Sequence, residues 1–408
     1  MKLKSLLFGS AASLAAFTGA QAADLPTAEP VEYVAICDAY GAGYFFIPGG
    51  DTCLKISGFA FAEAAYIPHS NGTLDIDPGP GDKQNNYGTR VRAQVNFDAR
   101  TSTGLGVLRS FIALRGNVDD RPRGGNGATP DFGGGVGNNV IVQEAYAQLQ
   151  MDSGTITAGL AASAFDFFGS YADEINGISD DPTDNVTQLS YSFTVAGFKA
   201  VVSFEDPQST GTHNFKSGAD DENYLIGGRD YPDLIGALGY EAAWGAVQLS
   251  GALGKTSEAF GGGDEIAYAV ALGGRVGFGM FEASAQATYA DGLIGYATTG
   301  VGLAEFSDAD SNGSFDNNSA WSIRAGVQAN FTDTIFANIN GSYARYNDKT
   351  GDPGPDEDGD VWTVAGDLGW KPVPGLSVVG EVEYANASND ANPDGDIWAL
   401  GARVQRNF

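Results

Sequence analysis

Beyond its N-terminus, this 408-residue sequence has no long hydrophobic run, and it is poor in histidine and cysteine. No later segment approaches the ~20 apolar residues of a transmembrane helix, so any membrane embedding must use β-strands. The only histidines are His69 and His213. His69 stands beside Ser70 in the sequence, and an adjacent base and nucleophile cannot readily form an oriented catalytic triad. No glycine-rich phosphate loop follows a strand and opens a helix. These absences argue against an enzyme and against a nucleotide-binding protein.

Basic residues are also scarce, with 22 Lys and Arg against 51 Asp and Glu, and the formal net charge is −29. Such an acidic chain is a poor partner for nucleic acid or anionic lipid. It suits a protein whose exterior loops meet divalent cations. With 58 glycines and 11% aromatic residues, the composition favours an all-β protein over a disordered chain.

The N-terminus reads as a secretory signal peptide. Lys2 and Lys4 form the positive region, residues 6–17 the short apolar region, and residues 20–22 a small-x-small cleavage site ending at Ala22. We therefore expect three parts: a signal peptide (1–22), an N-terminal arm that contains both cysteines (23–53) and the rest of the mature chain (54–408).

Cys37 and Cys53 are the only cysteines, and both follow the cleavage site. In an oxidising periplasm, an isolated pair is most simply a disulfide. The chain-entropy model gives such a bridge ~3 kcal/mol of stabilisation for a loop of this size.

The rest of the chain repeats one pattern: an alternating run, a very short turn, a second run and a long polar loop. About sixteen runs can be counted, among them residues 54–66, 86–99 and 396–408. Runs of ~9–11 residues alternating apolar and polar are typical of tilted transmembrane β-strands. Short turns alternating with long loops, such as 67–85 and 387–395, match the two unequal rims of an outer-membrane barrel. A soluble sandwich or propeller is the alternative.

The clearest alternation lies in residues 89–98. One set is apolar and should face lipid, namely Val91, Ala93, Val95 and Phe97. The other set is polar and should face the lumen, namely Arg90, Arg92, Gln94, Asn96 and Asp98. The next run repeats the pattern, with Arg109 and Arg115 on one face. The alternative is two half-buried strands of a soluble sheet whose charged face meets solvent.

Residues 164–185 lie between two runs and have two characters. The first part is aromatic, with Phe165, Phe167, Phe168 and Tyr171. The second part carries five acids without a compensating base, namely Asp173, Glu174, Asp180, Asp181 and Asp184. A wide water-filled barrel offers a wall for the rings and water for the carboxylates. We therefore predict that this segment folds into the barrel and narrows its channel.

Three stretches together resemble the alphaproteobacterial general porin family. They are CDAYGAGYFFIPGGDTCLKISG at residues 37–58, the acidic segment 164–185 and the terminal VQRNF. The resemblance implies a sixteen-stranded antiparallel barrel in the bacterial outer membrane, usually a homotrimer, in contact with lipid and lipopolysaccharide. It further implies passive diffusion of small hydrophilic solutes and ions, with the third external loop forming a constriction.

For the mechanism, we expect the acids of the segment to face Arg90, Arg92, Arg109 and Arg115 across the narrowest point. Opposed charges would orient dipolar solutes, and the excess of acids predicts weak cation selectivity. Two alternatives remain on the same barrel: a substrate-selective channel and a non-conducting surface adhesin. A secreted calcium-binding β-protein is a third.

One acidic loop matches the front of a calcium-binding pattern, with candidate ligands Asp308, Asp310, Asn312 and Asp316. The bidentate glutamate expected at the twelfth position is Ser319, and no flanking helices are predicted. General bridging of acidic loops to lipopolysaccharide by divalent cations is the alternative. No other cofactor is expected.

Overall fold

The computed structural model describes residues 35–74, 86–119, 139–176, 185–206, 231–257, 264–298, 309–310, 316–347, 358–389 and 392–408. The expected signal peptide and residues 23–34 of the arm lie outside this part of the chain. Within it, no helix is both long enough and apolar enough to cross a membrane.

Sixteen long β-strands occur in the described ranges. In chain order they are β1 Cys53–Ser70, β2 Tyr87–Thr103, β3 Gly106–Asp119, β4 Asn139–Met151, β5 Gly154–Ala162, β6 Asn185–Val195, β7 Phe198–Asp206, β8 Asp233–Ala242, β9 Gly245–Ser257, β10 Asp264–Phe278, β11 Phe281–Asp291, β12 Ser319–Asn330, β13 Ile335–Asn347, β14 Gly359–Val373, β15 Leu376–Asn389 and β16 Asn392–Asn407. Two-residue strands at Phe45–Phe46, Ala309–Asp310 and Asp316–Asn317 complete the described strands.

The strands form one closed antiparallel barrel. Each strand pairs with the next along the chain, and β16 closes the sheet by pairing with β1, where Arg403 lies opposite Glu63. Closure leaves no exposed sheet edge, which a membrane-spanning sheet requires because lipid cannot satisfy free backbone groups. The predicted fold class, an all-β antiparallel barrel of about sixteen strands, is confirmed.

The side chains are arranged inside out relative to a soluble β-protein. Large apolar residues in mid-strand are exposed on the outer face, including Leu249 at 56% and Ile339 at 54%. Polar residues fill the opposite face, where Gln286 and Arg324 are buried. The alternation predicted for residues 89–98 is present, since Val91 is 51% exposed and Arg90 only 8%. An outer surface of this composition is stable against hydrocarbon rather than water.

Neighbouring valines on β7 provide a matched test of this orientation. Val202 is 53% exposed on the apolar face, whereas Val201 lies on the lumen face and is only partly exposed. Val202→Arg should lower the free energy of unfolding by ~2–4 kcal/mol, the cost of a cation at the bilayer midplane. Val201→Arg should cost much less, because its guanidinium reaches water. Urea unfolding in lipid vesicles measures both, and equal losses would contradict the assignment of the faces.

The two rims of the barrel differ in their connections. Six links at one end of the sheet contain only two residues, namely 104–105, 152–153, 196–197, 243–244, 279–280 and 374–375, and a seventh link at that end, 331–334, contains four. The connections at the other end are longer, except for the two-residue link 390–391. The sequence predicted a long loop at residues 387–395, but this prediction is wrong. The ladder between β15 and β16 continues to Asn389 and Asn392.

The N-terminal loop is fastened to the short-turn rim. Cys37 and Cys53 form the predicted disulfide, with their Cα atoms 5.9 Å apart. The Tyr44 hydroxyl donates a 2.7 Å hydrogen bond to Asp98 on β2. Burial and this bond to a carboxylate raise the pKa of Tyr44 to about 12. The loop is therefore tied to the barrel both covalently and by a hydrogen bond.

Candidate functional site

Residues 163–176 form a strap that runs along the polar face of the wall. The strap leaves the end of β5 and contacts side chains of strands from β7 to β16. A segment of fourteen residues can extend at most ~50 Å, so it reaches these strands by crossing the polar side of the closed barrel. The strap's hydrogen bonds to the wall are therefore made with side chains of the polar face.

The first half of the strap is held by polar side chains of three strands. Glu205 on β7 accepts hydrogen bonds from the Ser163 hydroxyl at 2.6 Å and the Ala164 N–H at 3.0 Å. Gln286 on β11 accepts from the N–H groups of Phe167 and Phe168 at 2.8 and 3.1 Å. Gln248 on β9 donates to the carbonyls of residues 164 and 166. These bonds satisfy backbone groups that have no sheet partner.

The second half is held mainly by wall carboxylates. Asp367 accepts from the Asp173 N–H at 3.1 Å, and Glu381 accepts from the N–H groups of Glu174 at 2.8 Å and Ile175 at 2.5 Å. Glu383 accepts from the backbone and side-chain nitrogens of Asn176 at 2.7 and 2.9 Å. Five hydrogen bonds to three wall carboxyl groups therefore anchor this half.

The backbone at Glu174 is adapted to this anchoring. Its φ of 49° lies in the left-handed region, which is uncommon for residues other than glycine. Successive N–H groups around such a residue point to one side and form a concavity for an anion. Here the concavity holds the Glu381 carboxyl group, which accepts hydrogen bonds from both N–H groups.

Apolar side chains of the strap rest directly on glycines of the wall. A Cβ added to Gly273 on β10 would lie 2.5 Å from the Phe167 ring, and one added to Gly401 on β16 would lie 2.7 Å from the Ile175 Cβ. Larger residues at these two positions would push the strap away from the wall. The strap thus packs its apolar side on the barrel, as its composition suggests.

A second segment, residues 292–298, supports the start of the strap. Leu293, Ile294 and Tyr296 are buried, and the Tyr296 ring packs against Phe165 with centroids 4.6 Å apart. The Tyr296 hydroxyl donates a 3.0 Å bond to Asp233 on β8. Phe165 itself is fully buried in this cluster, which fixes the point where the strap leaves the wall.

Truncating the side chains that support the start of the strap should destabilise the protein. Phe165→Ala should lower the free energy of unfolding by about 3–5 kcal/mol, the usual cost of emptying a buried aromatic site. Tyr296→Phe keeps the ring and removes one hydrogen bond to a buried carboxylate, so a smaller loss of about 1–3 kcal/mol is expected. Urea midpoints in detergent micelles would measure both losses. If Tyr296→Phe were the more damaging, packing would not be the main support.

Charged side chains of the strap pair with arginines of the wall. Asp166 lies 2.7 Å from Arg324 on β12, and Asp173 lies 3.0 Å from Arg403 on β16. Arg403 also contacts Glu63 at 2.8 Å, and Glu63 in turn pairs with Arg90. Burial raises the pKa of Asp173, whereas the Arg403 charge opposes this rise.

The predicted basic residues do not all lie together. Arg90 joins the group around Glu63, and Arg92 and Arg115 follow on β2 and β3, bonded to Asn117 and Gln94. Phe61 lies among them, with the guanidinium carbons of Arg90, Arg92 and Arg403 at 5.4, 5.6 and 4.6 Å from its ring. Their cation–π contacts keep these guanidinium groups against the wall.

Arg109 lies elsewhere. It pairs with Asp98 at 2.9 Å and stands opposite Arg100 in the β2–β3 ladder. Arg90 is ten residues from Arg100, or ~30 Å along the strand, so Arg109 belongs to the short-turn rim near Tyr44. Among the predicted acids, Asp173 and Glu174 lie in the strap. Asp180, Asp181 and Asp184 lie outside the described residues.

Sequence reasoning missed the residues that hold the strap. Glu205, Asp367, Glu381 and Glu383 all accept hydrogen bonds from it, and Arg403 contacts Asp173. A signal was present for two of them, because Glu381 and Glu383 alternate with apolar residues and must share the lumen face.

Two of the four candidate calcium ligands, Asp308 and Asn312, lie outside the described residues. For Asp310 and Asp316 only the backbone pairing is described. Over the part of the chain that the structure does describe, no group of three or more His, Cys, Asp or Glu side chains could hold a metal ion.

Comparison with known proteins gives consistent matches. A family model described as "Porin subfamily" matches residues 24–405. Porin Omp2b of Brucella suis is 29% identical in an alignment that covers 100% of both chains. Porin Omp2b of Brucella suis biovar 1 (strain 1330) is 35% identical over 260 residues, which are 60% of this chain and 64% of that protein. That higher identity therefore applies to less than two thirds of the relative's length.

Solved structures show the same fold at low identity. The outer membrane channel DcaP of Acinetobacter baumannii matches with a TM-score of 0.70 at 14% identity, covering 89% of this chain and 99% of that one. The anion-selective porin from Comamonas acidovorans matches with a TM-score of 0.53 at 15% identity, covering 88% and 100%. This barrel is similar in fold to both of these proteins.

Proposed function

Because this chain belongs to the Porin subfamily, we propose that it forms a water-filled channel for passive diffusion of small hydrophilic solutes and ions. Family and fold place it in the bacterial outer membrane and indicate a channel rather than an enzyme. Residues 54–408 are proposed to form the pore domain, preceded by the arm and disulfide loop of residues 23–53. The mature chain would begin after Ala22.

The observation that carries the proposal is the strap on the polar face of a closed barrel. An adhesin or a structural barrel has no need of a segment fastened across its interior by Glu205, Gln286, Glu381 and Glu383. In a channel, such a segment sets the smallest cross-section. Anchoring at many points keeps that cross-section constant while solutes collide with it.

We place the electrostatic constriction where the strap ends. Asp173 and Glu174 lie there beside Arg403, and the row of basic residues continues through Arg90 to Arg92 and Arg115. Acids on one side and arginines on the other create a transverse field that orients dipolar solutes and disfavours apolar ones. Asp180, Asp181 and Asp184 are proposed to add to the acidic side, whereas Arg109 would act at the short-turn mouth.

Weak cation selectivity is the expected net result. The chain carries 51 acids against 22 bases, and both signs meet at the constriction, so the preference should be small. The Comamonas acidovorans porin is described as anion-selective, which shows that one fold can serve either preference. Solutes must bind weakly in the channel, because tight binding would prevent their release.

Partners follow from the same proposal. We propose a homotrimer, as one of the solved relatives, OmpT of Vibrio cholerae, is described in a trimer form. Outer-membrane lipid and lipopolysaccharide would contact the apolar outer face and the acidic loops, the latter through Ca²⁺ or other divalent cations. Nucleic acid is not an expected partner for a chain of net charge −29.

Reconstitution of the purified mature protein in planar bilayers tests the function. Stepwise ohmic conductance is expected, with a reversal potential in a KCl gradient that favours K⁺ slightly. Liposome swelling should admit small sugars and exclude large ones. A folded, heat-modifiable protein that never conducts would contradict the channel and favour a surface barrel.

A further inference from the structure

A cavity of about 530 Å³ lies between the strap and the short-turn rim. Its roof is formed by Phe167, Phe168 and Tyr171 of the strap, and its floor by the lumen face of β7 to β10. A volume of this size is within the ~300–1,000 Å³ range of small-molecule sites. A solute that has passed the strap toward the short-turn rim would meet this cavity next.

The floor is open because one hydrogen-bonded row of the wall lacks side chains at two positions. In this row, neighbouring strands contribute Lys199 on β7, Gly239 on β8, Gln248 on β9 and Gly273 on β10. Phe167 occupies the space above Gly273, whereas nothing lies closer than 3.4 Å to a Cβ built on Gly239. The hollow above Gly239 is thus available to a ligand.

The charges around this hollow are balanced and separated. Glu241 and Arg275 approach each other within 3.7 Å in the middle of the cavity. Lys199 remains at one side and forms no ion pair within the described ranges. Glu282 on β11 stands at the other side, where it accepts a 2.8 Å bond from the Tyr171 hydroxyl and keeps further acceptor capacity.

This arrangement of charges favours a ligand that carries both a positive and a negative charge over an ion of a single sign. Two of the nearby acids are already paired, Glu241 with Arg275 and Asp166 with Arg324. A lone anion would therefore gain from Lys199 and be repelled by Glu282, and a lone cation would gain from Glu282 and be repelled by Lys199.

The strands that carry Lys199 and Glu282 are four steps apart, or ~19 Å across the wall at ~4.8 Å per step. The Lys199 row meets β11 at Gln286, and Glu282 lies four residues, or ~13 Å, further along that strand. Even after both side chains reach inward, the ligand's charges must be several ångströms apart. Two or three extended residues of a peptide span roughly 7–11 Å.

We propose that this cavity is a weak binding station for short zwitterionic peptides of two or three residues that carry an aromatic side chain. The terminal carboxylate would pair with Lys199, the terminal ammonium with Glu282, and the aromatic ring would pack under Phe167 and Tyr171. The station rests on the proposed channel function, since a solute reaches it through the lumen. It would slow such peptides without holding them.

A charge series on one peptide body tests the proposal in single-channel recordings. Glycyl-phenylalanine should produce resolved current interruptions. Its N-acetyl derivative keeps only the carboxylate and its C-terminal amide keeps only the ammonium, and each should bind about 1.4- to fivefold more weakly, as expected for loss of one exposed ion pair. Equal or stronger block by either derivative would overturn the proposal.

Three variants locate the station. Gly239→Leu fills the hollow at an unstrained backbone position and should abolish the interruptions while the channel still conducts. Gly236→Leu, on the same strand but on the lipid face, should leave them unchanged. Lys199→Met should weaken the binding of glycyl-phenylalanine and of its N-acetyl derivative to a similar extent. It should not weaken the binding of the amide, which has no carboxylate to pair with Lys199. If Gly239→Leu retained the interruptions, the station would lie elsewhere. Absence of conductance in the wild type would instead refute the channel itself.

Discussion

Replacing Glu381 and Glu383 together by alanine should raise the single-channel conductance and admit larger sugars. The N–H groups of Glu174, Ile175 and Asn176 and the Asn176 side chain would lose their acceptors. A hydrogen bond typically contributes ~0.5–1.5 kcal/mol net, so losing four of them should release the end of the strap. The barrel should remain folded, because its ladder does not depend on these side chains.

Two controls separate the loss of anchoring from the loss of charge. The double variant Glu381→Gln and Glu383→Gln keeps an acceptor oxygen at each position, so its conductance should change much less. Glu144→Ala removes a lumen-facing acid from β4, which no described contact joins to the strap. An unchanged conductance and an unchanged sugar cut-off in the double alanine variant, with normal heat-modifiable migration, would show that these carboxylates do not hold the constriction.

Replacing Arg403 by glutamine should make the channel more cation-selective. Arg403 is the wall cation that contacts Asp173 at 3.0 Å, and its removal leaves the end of the strap more negative. Two unit charges about 4 Å apart in water interact by about 1 kcal/mol, which sets an upper limit of roughly fivefold on the change in permeability ratio. Glutamine can still donate to Glu63, and Arg90 continues to neutralise that buried carboxylate.

The same variant should acquire a dependence on pH. Burial already raises the pKa of Asp173, and Arg403 is the charge that lowers it. Without Arg403 this pKa should rise further, so Asp173 takes up a proton at a higher pH and the gain in selectivity fades as pH falls. Arg406→Gln, at an exposed position of the same strand, is the matched control. Equal reversal potentials in the two variants would remove Arg403 from the constriction.

The alternation of residues was enough to predict the barrel and the direction of most side chains. Lipid on one side and water on the other force a period of two, which a local sequence displays. Strand ends were less predictable. The run of residues 54–66 belongs to a strand that continues to Ser70, because hydrogen bonding between strands extends beyond the lipid-facing part.

The constriction was only partly predictable. The composition of residues 164–185 indicates a segment that needs both a wall and water. The composition does not reveal that acidic residues of the barrel wall bind the backbone of the strap. This binding depends on where Glu381 and Glu383 lie along the barrel axis. The contact between Arg403 and Glu63 joins residues 340 positions apart, and only the register of the closing β16–β1 pair brings them together.

One measurement tests most directly whether the strap lines a conducting, water-filled lumen. Ser170 lines the cavity beneath the strap, and the two native cysteines are bonded to each other, so Ser170→Cys introduces a single free thiol. In planar bilayers, a charged, water-soluble thiol reagent should lower the current of each open channel in discrete steps. Ala402→Cys, on the lipid face of β16, should give no change. If the Ser170→Cys thiol were fully modified, as judged by mass spectrometry, while the current stayed constant, the strap would not border the path of the ions.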